Sequence, residues 1–274
     1  LTITPVADAT DPLLDDYRRL NDQAFRRRYE GDDIFMTEGY VAIDRLIESG
    51  HVVRSVLLAP SRVDRFAAHA ARLAATGVPV YVAEPGVIAE AVGFDLHRGV
   101  IACAERRSGR DLDDVIVGAR RIAVLEGLND AENLGAIARS ARAFGLDALV
   151  VDPTCTDAYS RRTVRVSMGE ILMLPVARLD RSSWIDVVER LRRAGFETWA
   201  MTPAPSAVSI WDAPVPDRVA VCLGAEGPGL GAHLMSSCDR MVRIPIEPQV
   251  DSLNVAQAAA VTFAALTRHE PGEA

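Results

Sequence analysis

Residues 121–145, RIAVLEGLNDAENLGAIARSARAFG, constrain this chain most, because the period of the apolar pattern changes across one short loop. Residues 121–125 alternate and are rich in β-branched side chains, which is a strand signal; residues 136–144 carry small and apolar side chains at helical spacing. Gly145 then stops the helix. A strand that enters a helix through a loop of Asn, Asp and Glu is a unit of parallel α/β architecture, where ligands bind at the carboxyl ends of strands. An ordinary turn capped by Asn129 or Asp130 is the commoner use of such spacing, so this loop gains meaning only beside others.

The alternation of strand and helix recurs along the chain. Residues 1–30 read as a helical arm, since Leu13, Leu14, Tyr17, Leu20, Ala24 and Phe25 recur at spacings of three and four. Gly31-Asp32-Asp33 breaks that pattern. Strands are then expected at 34–36, 52–58, 78–82 and 99–104, with helices at 39–49, 62–75 and 85–92 between them. Charges and glycines crowd residues 105–120, ERRSGRDLDDVIVGAR, and mark a boundary. The expected organisation is a smaller α/β domain over 1–108 that includes the arm, a linker over 109–117, and a second domain over 118–274. In that second domain further strands are expected at 148–151, 172–176, 197–201, 218–223 and 241–244, and helices near 159–168, 182–194 and 253–267. Strands alternating with helices imply an α/β fold with a mainly parallel sheet.

Bulk properties exclude several classes. No apolar run approaches the roughly 20 residues that span a bilayer. The opening residues lack the basic-then-apolar order of a signal peptide, so the expectation is a cytoplasmic protein without a membrane role. Cys103, Cys155, Cys222 and Cys238 form no CxxC pair, which points to four reduced, mostly buried thiols and no metal site. A net charge of −8 argues against a uniformly basic nucleic-acid binder, yet all 30 basic residues are Arg and several cluster. The clusters are Arg26-Arg27-Arg28, Arg106-Arg107 with Arg110, Arg120-Arg121, and Arg161-Arg162 with Arg165. Guanidinium forks match phosphate geometry, so such patches suit RNA on an otherwise acidic body; a chain rich in Ala and Arg also simply uses Arg where others use Lys.

Three loops of the second domain hold more polar and glycine residues than connection requires. The first runs from Asn129 to Arg139. The second, Leu223-Gly224-Ala225-Glu226-Gly227-Pro228-Gly229-Leu230, follows a strand directly, and its glycines let backbone approach a ligand closely; it is neither GxGxxG nor a P-loop. A plain glycine-rich turn gives the same composition. The third, residues 244–254, carries a strand end into the last helix, where Asp251 or Ser252 would serve as an N-cap.

Together, in order and spacing, these loops resemble the three motifs of the SpoU/TrmH-type RNA 2′-O-ribose methyltransferases of the SPOUT superfamily. The matching residues are Asn133-x-Gly135, Arg139 and Ala143-Phe144-Gly145; Gly224-x-Glu226-Gly227-x-Gly229; and Ile244-Pro245 followed by Ser252-Leu253-Asn254. The likeness covers the whole second domain, including Ser167-Met168-Gly169 before Leu174-Pro175-Val176. The first domain is more loosely similar to a small substrate-binding domain, from Ile34-Phe35-Met36-Thr37-Glu38-Gly39 to His97-Arg98-Gly99-Val100-Ile101-Ala102. Pro248 departs from the pattern, standing where the family often has Gly.

This resemblance implies a trefoil knot in the second domain, S-adenosylmethionine as cofactor, and a homodimer that completes an RNA site. Carried over by motif, cofactor contacts fall on Gly224, Ile244, Leu253 and Thr202. Catalytic and RNA-facing roles fall on Asn133, Arg139, Glu226, Ser252 and Asn254. The implied reaction is methylation of a ribose 2′-hydroxyl in structured RNA, ribosomal RNA rather than transfer RNA, with Arg26, Arg27, Arg28, Arg106 and Arg107 as RNA contacts. His97 fits a structural or RNA-facing role in the first domain. A catalytically silent RNA- or ribosome-binding protein is the competing reading. A dinucleotide enzyme is disfavoured, because GxGxxG and its later acidic residue are missing.

Overall fold

The computed structural model describes residues 3–31, 33–96, 99–107 and 109–267, apart from the side chains of Gln23, Arg27 and Ala75. His97, together with Arg98, lies outside the described residues. The chain forms two compact units, Leu1–Ser108 with Tyr159–Met173, and Gly109–Ala158 with Leu174–Ala274.

The first unit contains β1 (Ile3–Val6), α1 (Gln23–Glu30), β2 (Ile34–Glu38), α2 (Tyr40–Glu48), β3 (Val53–Leu58), α3 (Val63–Leu73), β4 (Val80–Ala83), α4 (Pro85–Val92) and β5 (Val100–Glu105). Its sheet has the order β1-β4-β3-β5-β2. β1, β4 and β3 run parallel, whereas β5 is antiparallel to both β3 and β2. One core joins Leu14, Tyr17, Leu57, Val92 and Ile101.

The helical arm expected over residues 1–30 is not one helix. Its start is the edge strand β1, a position that tolerates Pro5 because one side of an edge strand needs no amide donor. A 3-10 turn, Pro12–Tyr17, follows; the Asp11 carboxylate caps it by accepting from the Leu13 amide. A period of three satisfies the same apolar spacing and buries Leu14 and Tyr17 completely. Only at α1, capped by Asp22, does the chain become α-helical.

The rest of the chain contributes α5 (Leu112–Ile116), β6 (Arg121–Glu126), α6 (Ala131–Ala143), β7 (Ala148–Val151), α7 (Arg161–Val166), β8 (Val176–Arg178), α8 (Arg181–Ile185), α9 (Val187–Arg193), β9 (Glu197–Met201), β10 (Val208–Ser209), β11 (Val219–Gly224), α10 (Ala232–Ser237), β12 (Arg240–Arg243) and α11 (Val255–Thr267). Of these, α7 groups with the first unit. The Arg161 guanidinium donates to Glu38 at 3.0 Å, and Arg45 donates to Glu170 at 2.8 Å. Gly169, at φ +83°, lies so close to α2 that a Cβ there would sit 2.9 Å from the Ala42 Cα.

The second unit is an α/β unit built on a seven-stranded sheet, β10-β12-β9-β11-β6-β7-β8, in which every pairing is parallel. Both faces of β6, β7 and β11 are covered, which explains their continuous apolar runs. From β6 the chain adds β7 and β8 on one side, then crosses to build β9, β11 and β12 on the other. The sheet therefore reverses direction between β6 and β11, and a crevice opens at the carboxyl ends of strands around such a reversal.

Three details differ from the sequence reading. Residues 109–117, expected as a linker, contain α5, whose Leu112, Val115 and Ile116 are buried in the second core while Asp113 and Asp114 face outward. The strand expected at 172–176 is a 3-10 turn, Glu170–Met173, and β8 begins only after Pro175, which has no amide to donate. The single helix expected at 182–194 is divided into α8 and α9 at Asp186, whose backbone sits at φ −100° and ψ 8°. Among the described residues, no helix is long and apolar enough to cross a membrane.

Replacing Leu112 by Ala is expected to lower unfolding free energy by about 3 kcal/mol in urea titrations, whereas Val117→Ala should stay within about 0.5 kcal/mol. Val117 is 82% exposed and makes the contrast: equal effects would mean that α5 adds nothing to the core.

Candidate active site

The glycine loop begins where β11 ends. Gly224 is paired in register with Glu126 of β6, and the chain then doubles back so that the Gly229 amide donates to the Ala225 carbonyl at 2.9 Å. Gly227 and Gly229 have φ of +87° and +70°, a left-handed conformation that side chains disfavour. At Gly224 the requirement is steric. A Cβ there would lie 2.1 Å from the Gly229 carbonyl carbon and 2.2 Å from the Leu230 nitrogen, so backbone rests directly on backbone.

The first loop, between β6 and α6, is braced from the end of β7. Asp152 accepts from the Thr154 hydroxyl at 2.7 Å and the Cys155 amide at 2.8 Å. Cys155 in turn accepts from the Leu128 amide at 3.3 Å, and the Thr156 amide donates to the Leu128 carbonyl at 2.7 Å. Burial opposes charge on Asp152, but hydrogen bonds from Cys155, Thr154 and Gly127 hold its carboxyl below the usual range. The Cys155 thiol is pushed up to about 12 by burial and by the neighbouring Asp152. Asp130 caps α6 by accepting from the Glu132 amide at 2.9 Å.

The third loop leaves β12 and turns at Pro248, with the Val250 amide donating to the Glu247 carbonyl at 3.0 Å. Proline suits the second position of such a turn. The cap of α11 is Asn254, not Asp251 or Ser252: its Oδ1 accepts from the Ala256 amide at 2.9 Å and the Gln257 amide at 3.2 Å. Its Nδ2 donates to Asn133 Oδ1 at 3.0 Å and to Glu226 Oε1. One side-chain amide thus joins all three loops.

Between the second and third loops lies a cleft of about 360 Å³. Thr202, Gly224, Glu226, Ile244, Ser252, Leu253 and Asn254 line it, so each of these residues picked out by motif faces one space. Asn133 is one hydrogen bond away, through Asn254. Arg139 is not brought there. It is exposed on α6, six residues beyond Asn133 and about 120° round the helix, and its side chain makes no ion pair or hydrogen bond with the described residues. Sequence reading missed Glu126, which accepts from the Gly231 amide at 2.6 Å and from Trp184 Nε1 at 3.3 Å. Its only signal in the chain is an acidic residue closing an apolar strand.

The arginines expected to meet RNA divide into two kinds. Arg26 is 6% exposed; it pairs with Glu30 at 2.7 Å and donates to the Asp16 and Arg18 carbonyls. Arg106 is likewise turned inward, donating to the Ile34 carbonyl at 2.8 Å. Both are internal ties of the first unit rather than free cations. Arg28 and Arg107 remain exposed, although Arg107 also donates to the Ser49 carbonyl, while the side chain of Arg27 lies outside the described residues.

The model of the SpoU rRNA Methylase family matches residues 120–264, more than half of the chain and the whole of the cleft. The chain belongs to this family. An uncharacterised tRNA/rRNA methyltransferase of Mycobacterium bovis is 41% identical over 98% of this chain and 93% of its own length. The 23S rRNA (guanosine(2553)-2′-O)-methyltransferase RlmP of Bacillus subtilis is 24% identical over 93% of this chain and 96% of its own. Among solved structures, the AdoMet-bound rRNA methyltransferase from Sinorhizobium meliloti superposes with a TM-score of 0.82 at 27% identity, covering 97% of this chain and 98% of that one. AviRb from Streptomyces viridochromogenes, in complex with AdoMet, gives a TM-score of 0.77 at 25% identity, covering 94% and 97%.

Two consequences of the loop bracing are measurable. Because the folded protein holds the Asp152 carboxyl low, its stabilisation is complete above about pH 4 and is lost as pH falls through the folded-state value. The stability gap between wild type and Asp152→Asn should therefore be wide at neutral pH and narrow in acid, as read from urea midpoints across the pH range. Asn254→Ala should cost about 1–2 kcal/mol by the same measurement, through loss of the helix cap and of two loop contacts.

Proposed function

We propose that the protein transfers a methyl group from S-adenosylmethionine to a ribose 2′-hydroxyl of a structured RNA, ribosomal RNA in preference to transfer RNA. One observation carries this reading: a single amide, Asn254, draws Asn133, Glu226 and the start of α11 together over a cleft at the carboxyl ends of parallel strands. Membership of the SpoU family supports RNA as the substrate class, and the AdoMet-bound Sinorhizobium meliloti enzyme supports the cofactor. The cleft suits that cofactor. Leu223, Ile244, Ile246 and Leu253 give it an apolar lining, and the bare backbone at Gly224 allows close approach. Gly224, Ile244 and Leu253 would hold the cofactor, with Thr202 beside them. Bound there, it supplies an electrophilic methyl group.

The remaining chemistry belongs to the chain. Glu226, Ser252, Asn133 and Asn254 orient the ribose at the mouth of the cleft, and alignment of reacting groups lowers the barrier of an in-line displacement. A guanidinium is a poor base, so general-base catalysis is not assigned to Arg139. Its role is electrostatic: it holds the RNA phosphate or the developing alkoxide, while the proton leaves through a phosphate, water or Glu226. Since Arg139 is exposed and turned away from Asn133 on the same helix, a second copy of the chain completes the site. A homodimer of knotted second units, working in the cytoplasm, fits this reading. RNA affinity comes from the first unit, with Arg28 and Arg107 as its exposed cations.

The test is incubation with labelled AdoMet and total RNA, followed by mapping of the modified nucleotide. A 2′-O-methyl mark is expected. Arg139→Ala should lose about 100-fold in turnover while calorimetry still registers AdoMet binding. In the same assay, Arg28→Glu with Arg107→Glu should weaken RNA binding and make its salt dependence less steep. A folded protein that binds no AdoMet would favour the catalytically silent RNA- or ribosome-binding alternative.

A further inference from the structure

We propose that Glu126 is the positioning residue of the cofactor loop, holding both of its ends at once. The inference rests on reading the cleft as the AdoMet site. As the last residue of β6, Glu126 is paired in register with Gly224, where the glycine loop starts. Its carboxylate accepts from the Gly231 amide at 2.6 Å, where the loop gives way to α10. Everything between, including Ala225, Glu226, Gly227 and Gly229 of the cleft wall, is a ring closed through one residue.

The surroundings are shaped to that contact. A Cβ at Gly231 would lie 3.2 Å from both Glu126 carboxylate oxygens, so glycine lets the amide approach. Gly127, at φ +72°, turns the chain away beside the loop, and a Cβ there would lie 3.3 Å from the Ala225 Cβ. The second carboxylate oxygen accepts from Trp184 Nε1 at 3.3 Å, and Trp184 packs against the core of the second unit. The loop is thereby tied to a fixed anchor.

The donor count sets what this position accepts. Two N–H groups converge from separate segments, each facing its own oxygen. A carboxylate serves both; a carboxamide has one acceptor and turns an NH₂ toward a donor. Glu126→Gln, which keeps size and shape, should thus raise the Kd for AdoMet about tenfold by calorimetry, the effect of leaving one donor unpaired. Turnover at saturating AdoMet should stay near the wild-type value, so that the loss appears in KM for the cofactor rather than in kcat. Hydrogen exchange should quicken at the amides of residues 225–231.

Trp184→Phe removes one of the two donors. In that background a carboxamide satisfies the remaining one, and Glu126→Gln should then weaken AdoMet binding less than about threefold. An unchanged Kd in Glu126→Gln, or the same full penalty with Trp184 replaced, would overturn the proposal. If the wild type itself binds no AdoMet, the cofactor reading fails separately, and hydrogen exchange decides the clamp: faster exchange at 225–231 in Glu126→Gln upholds it, unchanged exchange overturns it.

Discussion

The side-chain amide of Asn254 is the interaction on which the site depends. A carboxamide on a short stem offers an acceptor and two donors in fixed relative directions, and here all are used. The oxygen caps α11, while the nitrogen reaches Asn133 and Glu226, which lie 121 and 28 residues away in sequence. No other uncharged side chain of that length could do both. Aspartate would keep the cap and lose the donors; serine would keep the cap without reaching two partners. The helix start and the mouth of the cleft are in this sense one structure.

That junction works because the sheet delivers the three loops to one edge. The first two leave the carboxyl ends of β6 and β11 at the reversal, and the third leaves β12, one strand beyond β9. Parallel pairing puts all those ends on the same side, and the covered faces of the central strands leave the floor rigid. Further bracing is local, through Asp152 and Cys155 behind the first loop and Glu126 beneath the second. The polar groups at the rim therefore stand on apolar strands that have little freedom to move.

Much of this was legible in the sequence where pattern and burial agree. The strand at 148–151, the helix at 85–92 and the strand at 197–201 fall where alternation, an initial proline or a following loop put them. Reading failed where one pattern serves two geometries. Leu13, Leu14 and Tyr17 suit a 3-10 turn as well as an α-helix, and α5 is too short for its three inward residues to establish a period. Charge misled in both directions. Arg26 looks like a free cation and is buried against Glu30; Glu126 looks like a solvated strand end and is a half-buried tie. Side-chain identity marks what a residue can bond to, and only the fold decides what stands within reach. The seven cleft residues were legible through the likeness of their loops to the SpoU/TrmH motifs, since spacing alone fits an ordinary capped turn equally well.

Gly224 has a consequence for how this protein can diversify. The crossing of its backbone with that of Gly229 and Leu230 is made by main chain alone, so the shape of the loop is carried by the absence of a side chain. Selection acting there has nothing to vary in small steps, because even one methyl group closes the contact. At the exposed crest Gly227 still needs its left-handed φ and Glu226 its bond to Asn254, so Pro228 is the position there that carries neither burden. Drift and adaptation in this loop are thus channelled to its outer rim, and lineages of the fold would keep the pocket's floor while exploring different edges for the molecules that approach it.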